Sequence, residues 1–267
     1  MSVAARTRTA LGCLAAALAL GTAATASQAA TLAALQDGQT IVWIDTTQKK
    51  VIGSACLEGG ASLVGFDVRP ADGKLYGVTP QGAIVTVDAK TGKWEKKSQI
   101  SEKLPVGATF SVDFNPVADR LRILSSTGMS YRINVEDGKT TVDGALKYAE
   151  GDANKGLQPK VTAAAYSNSF AGTKETALYD IDAANGTLSK QAPPNDGILN
   201  TIGKLGVKVN GSLAFDISSD GNGGNTGWLL AGGTLYTVDM MTGAAKAFGR
   251  VSGLEGRIGD IAILSAM

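Results

Sequence analysis

Val112-Asp113-Phe114-Asn115-Pro116 is followed by Leu121-Arg122-Ile123-Leu124, the segment Met129–Asn134 and the turn Asp137-Gly138-Lys139. The same grammar stands one unit earlier. Gly65-Phe66-Asp67-Val68-Arg69-Pro70 leads into Leu75-Tyr76-Gly77-Val78, then Ala83–Asp88, then Thr91-Gly92-Lys93. Asp67 precedes Gly92 by 25 positions, and Asp113 precedes Gly138 by 25. Two stretches with equal internal offsets are a repeat, and a repeat must be read before any single element. Each unit holds short runs rich in Val, Ile, Leu, Thr and Tyr, bounded by Gly, Asn, Asp and Pro, which is strand-and-turn chemistry.

Working outward, looser copies occupy 161–203 and 212–250, opening at Ala165-Tyr166-Ser167-Asn168 and Phe215-Asp216-Ile217. The chain closes on Gly259-Asp260-Ile261-Ala262-Ile263-Leu264, which reads as a first strand with nothing after it. Thr31–Leu35, Thr40–Asp45 and Lys50–Cys56 read as second, third and fourth strands with no first. The two ends therefore complete one unit between them. Equivalent points at 67, 113, 166, 216 and 260 differ by 46, 53, 50 and 44 residues, which predicts five four-stranded units. The expected fold is an all-β, five-bladed β-propeller of antiparallel blades, closed by pairing the terminal strands. Six blades and a β-sandwich are the alternatives.

Residues 1–29 are set apart from this domain, which spans 30–267. Arg6 and Arg8 precede an uncharged apolar run, Ala10–Leu20, and small residues follow up to Ser27-Gln28-Ala29. That is the layout of a secretory signal peptide, and the run is shorter than the about 20 apolar residues that span a bilayer. Export to the periplasm or the extracellular space is expected, with no stable membrane anchor. Beyond residue 29 only Cys56 remains, so a core rather than a disulfide must hold the fold. Its apolar surroundings, Val51–Leu57, predict a buried thiol.

Composition narrows the chemistry. The chain has no histidine, which excludes nucleophile–histidine relays and imidazole metal ligands. With 25 basic and 24 acidic residues it has no charge footprint for nucleic acid. Aligning the first strands sets Asp67, Asp113, Asp216 and Asp260 in equivalent places, with Tyr166 in the fourth unit. Two residues on, Arg69, Asn115, Asn168, Ser218 and Ala262 point to the same side, because strand side chains alternate. First strands of propeller blades line the channel. Asp67, Arg69, Asp113, Asn115, Tyr166, Asn168, Asp216 and Asp260 are therefore the candidate ligand-binding residues. The aspartates can equally accept backbone hydrogen bonds that lock blade to blade. Four crowded acids require protons or a cation, and calcium is the divalent ion left open, with no other cofactor implied.

Asp45, Asp88, Asn134 and Asp239 each end a third strand and are expected to shape the turn that follows. Asp220–Asn225 lacks the spacing and the glutamate of an EF-hand loop and reads as a hairpin loop. Trp43, Trp94 and Trp228 are expected to pack.

The runs around Asp67 and Asp113, together with Gly151-Asp152-Ala153-Asn154, Ala163–Ser169 and Pro193-Pro194-Asn195-Asp196-Gly197, resemble a family of exported bacterial proteins. It is catalogued as a domain of unknown function (DUF-4394). The resemblance implies export and a propeller-like repeat, and brings no activity, substrate or catalytic residue. The residues themselves point to a monomeric, non-catalytic module for an envelope or extracellular ligand. The alternative is a hydrolase built on the channel aspartates, acting on glycosides or through a divalent cation.

Overall fold

The computed structural model describes residues 30–208 and 211–264. The signal-peptide expectation falls on residues 1–29 and lies outside them. Strands β1 (Thr31–Gln36), β2 (Thr40–Asp45) and β3 (Lys50–Cys56) open the chain. Four strands make the second blade: β4 (Gly65–Val68), β5 (Leu75–Val78), β6 (Ala83–Val87) and β7 (Trp94–Gln99). The third holds β8 (Phe110–Asn115), β9 (Arg120–Ser125), β10 (Ser130–Ile133) and β11 (Thr140–Val142). A two-residue strand, β12 (Lys147–Tyr148), precedes β13 (Val161–Tyr166), β14 (Leu178–Asp182), β15 (Thr187–Gln191) and β16 (Ile198–Lys204). The fifth blade is β17 (Leu213–Ser219), β18 (Asn225–Ala231), β19 (Thr234–Val238) and β20 (Ala245–Arg250). β21 (Ile258–Leu264) is last in sequence and returns to pair antiparallel with β1.

The five sheets form a five-bladed propeller. The first blade runs β21-β1-β2-β3, so the terminal strands complete one unit as the repeat predicts. The fourth departs from the plan, because β12 adds a fifth strand parallel to β16. That addition, with its connecting loop, explains the 53-residue step between units three and four. It does not hide a sixth blade.

Each seam between blades has its own apolar cluster. Phe66 and Ala262 belong to the seam of blades one and two, Phe114 and Ile84 to that of two and three. Phe215 and Ile181 lie between four and five, and Trp228 and Leu32 between five and one. The seam of blades three and four is the smallest, with eight buried residues including Leu124, Tyr148 and Leu178. Because both faces of a blade meet neighbours, strands such as β5 and β8 are buried on both sides.

A glycine recurs at three of the five junctions. Gly92, Gly138 and Gly243 adopt φ of 72°, 75° and 79°, the left-handed region that favours glycine. Their turns also press on the outer strand of the preceding blade. A Cβ at Gly92 would collide with the carbonyl of Cys56, and one at Gly138 with that of Gln99.

Cys56 corrects an expectation. It is exposed, while its neighbour Ala55 is the buried residue. β3 is the outermost strand of its blade and alternates, so Cys56 points outward with Lys50, Ile52 and Ser54.

Candidate functional site

The five inner strands, β4, β8, β13, β17 and β21, surround the channel. Asp67, Asp113, Asp216 and Asp260 lie on four of them and are at most 5% exposed. Each reaches the backbone of the next inner strand. Asp260 accepts from the Phe66 N–H at 3.1 Å and Asp67 from Phe114 N–H at 2.8 Å. Asp113 accepts from Tyr166 N–H at 2.9 Å, and Asp216 from Ile263 N–H at 2.7 Å. Asp67, Asp216 and Asp260 also accept the N–H of the residue that follows them.

Four of the five seams thus carry one aspartate clamp. The fifth, between β13 and β17, has Tyr166 where the acid would be, and closes differently. Asn168 N–H donates to Asn225 Oδ1 at 2.8 Å, and Asn225 Nδ2 donates to Asn168 Oδ1 at 2.8 Å. Nothing in the repeat pattern marks Asn225, because it opens a second strand rather than a first. Ser111 is a further unmarked residue. Its hydroxyl accepts from Ala164 N–H and donates to Ala164 C=O, reinforcing the Asp113 seam.

The clamps also crowd. One oxygen from each of Asp67, Asp113 and Asp216 lies within 4.8 Å of the other two. Burial pushes the Asp216 carboxyl up to about 6. Asp67, Asp113 and Asp260 are raised well above the ordinary range, first by burial and then by the charges of neighbouring aspartates, Asp216 among them. Their backbone hydrogen bonds oppose this only in part. The cluster can hold protons or, through its oxygens, a hard cation.

The remaining candidates stand apart from this cluster. Arg69 grips Asp119 with two bonds, Nε to Oδ1 at 2.8 Å and Nη2 to Oδ2 at 2.6 Å, and meets Glu136 at 2.8 Å. It therefore ties blade two to blade three. Asn115 Oδ1 accepts the N–H groups of Val117 and Ala118 and shapes the β8–β9 turn. The Tyr166 hydroxyl accepts from Arg122 Nε at 2.9 Å. Asp45, Asp88, Asn134 and Asp239 accept backbone N–H groups two or three residues on, as turn formers do.

At one mouth of the channel a cavity of about 570 Å³ opens over Asp67 and Asp216. Thr31, Asp45, Phe170, Ser218 and Ser219 are among its walls, and among the described residues no lysine or arginine lines it.

The profile of a family described as "Domain of unknown function (DUF4394)" matches residues 40–262. The chain belongs to that family. No curated protein matches it. Among solved structures, a protein of unknown function from Bacteroides caccae is similar at 12% identity and TM-score 0.44, with 89% of this chain and 100% of that one covered. Another of unknown function, from Bacteroides thetaiotaomicron, reaches 14% identity and TM-score 0.49 over 82% of this chain and 54% of that one. A calcium-binding protein, regucalcin, from Agrobacterium tumefaciens, is 15% identical at TM-score 0.45, with 82% and 73% covered.

Proposed function

We propose that the protein is a non-catalytic binding module taking a small polar ligand, neutral or cationic, in the channel-mouth cavity. The observation that carries this reading is the pairing of an open cavity with acids that are already engaged. The cavity has the size of small-molecule sites. Its walls carry carboxyls and hydroxyls and, among the described residues, no basic group, so nothing there would pair with an anion. Carboxylate hydrolysis needs one acid to donate a proton and a second to attack or activate water. Here the oxygens of Asp67 and Asp216 accept backbone N–H bonds between blades, and moving either carboxylate toward a substrate would break a seam.

The test is a thermal-melt screen with diamines, amino-acid zwitterions, monosaccharides and dicarboxylates. A midpoint rise with a cationic or neutral compound is expected, abolished in Ser219→Trp, which fills the cavity. A rise with dicarboxylates alone, or no rise with any class, defeats the reading. The signal-peptide layout supports an exported module whose ligand is an envelope or extracellular component. N-terminal sequencing of the secreted chain should find a start at or near Ala30.

A second reading rests on the three converging oxygens of Asp67, Asp113 and Asp216, which would hold a divalent cation such as calcium. A ligand at a hundred times its Kd stabilises by about 2.7 kcal/mol. An unchanged midpoint when calcium is returned after chelation removes this second reading and leaves the first standing.

A further inference from the structure

The seam of blades three and four holds buried oxygens that have no partner among the described residues. Asp180 of β14 is 0% exposed, and neither of its carboxylate oxygens has a hydrogen bond. Ser189 Oγ and Gln191 Oε1 of β15 share that condition, at 0% and 1% exposure. Buried polar atoms in folded proteins are nearly all satisfied, so such a group marks a place for something else.

The register brings these atoms together. Asp180 lies directly across from Ser189, and Gln191 follows two residues along on the same face. Opposed Cβ atoms stand about 4.5–5.5 Å apart, and a diagonal neighbour is within reach of a long side chain. The Gln191 amide is held in one orientation because its Nε2 donates to the Pro194 carbonyl, which leaves Oε1 as the unpartnered end. Asp180 and Ser189 face each other across the strand pair without a hydrogen bond.

Among the described residues no cation of the seam is hydrogen-bonded to Asp180. Arg122 is 2% exposed and contributes to the field at Asp180, but its donors go to Tyr166, Ser130, Asp143 and Asn195. Its charge is matched by the buried Asp143, which also takes the half-exposed Arg132. Burial pushes the Asp180 carboxyl up to about 8, so at neutral pH it keeps a proton unless a cation takes that proton's place. We infer that Asp180, Ser189 and Gln191 form an internal site for a single monovalent cation of sodium or potassium type. Hard cations take oxygen ligands, and all the orphaned atoms of this seam face are oxygens. One positive charge neutralises one carboxylate, whereas a divalent ion would leave excess charge beside Arg122. The site is separate from the channel cavity, and its fate is independent of the function proposed above.

Melting the full exported chain in sodium, potassium and tetramethylammonium chloride at equal ionic strength tests this. We expect a midpoint about 3–6 °C higher in the sodium or potassium salt. The difference should vanish in Asp180→Asn and shrink in Ser189→Ala, while Asp113→Asn keeps it. Equal midpoints in all three salts overturn the inference, as does a difference that survives Asp180→Asn. If Asp180→Asn does not fold, crystals soaked in rubidium or thallium salts decide. Anomalous density among Asp180, Ser189 and Gln191 supports the ion, and ordered water alone at that place refutes it.

Discussion

Asp113 shows how one side chain holds a seam. Its carboxylate takes the Tyr166 N–H from a strand 53 residues away, in the interior. Asp113→Ala leaves that donor buried without an acceptor, a loss of about 1–3 kcal/mol. Asp113→Asn keeps an acceptor oxygen and should lose less, which urea denaturation of the two variants would compare. Asp216 adds a pH dependence. Burial raises its carboxyl to about 6, so the folded protein keeps a proton that the unfolded chain releases near pH 4, at about 3.9. The stabilisation from that proton is complete below about pH 4, falls as pH rises to about 6 and is then constant. Melting midpoints should therefore drop between pH 4 and pH 6, and Asp216→Asn should flatten the slope. A slope unchanged in that variant would show that the carboxyl is not the titrating group. The four aspartates were legible from the repeat because their offsets recur. Whether they clamp or bind was not, because each partner is a backbone N–H on another blade.

At the scale of the element, the turn glycines carry the packing between blades. Gly92→Ala must adopt positive φ and push against the Cys56 carbonyl. The two penalties together amount to about 2–4 kcal/mol, measurable as a lowered denaturation midpoint. Gly73, which also has positive φ but faces open space, should lose about 1–2 kcal/mol when changed to Ala. β3 offers a chemical test. Cys56 is exposed, so a thiol reagent should modify the native protein at a rate near that of the unfolded chain. Protection until unfolding would contradict the register of β3. The apolar run Val51–Leu57 suggested burial because composition does not tell an outer strand, buried on one face, from an inner one buried on both. β12 was invisible for a related reason: two residues carry no periodicity, and pairing with β16 alone makes them a strand.

The whole molecule is closed by β21, which pairs with β1 and packs against β4 and β17. It also carries Asp260, the clamp to β4, and Ile263, whose N–H is held by Asp216. Deleting residues 258–264 removes the inner strand of the first blade and two seam clamps at once. The truncated chain should lose its cooperative thermal transition rather than lose one blade, which calorimetry would detect. The sequence alone determined the five-unit count, the strand order within a unit and the sharing of one blade between the chain ends. Those follow from spacing and local turn chemistry, which are properties of neighbouring residues. Tertiary structure alone decided that Arg69 pairs with Asp119 and that Asn225 replaces an aspartate clamp. It also decided that Asp180 sits unpartnered inside a seam. Hydrogen-bond satisfaction and charge balance in the interior depend on which atoms the ring brings together across some 50 residues of chain, and no local pattern records that.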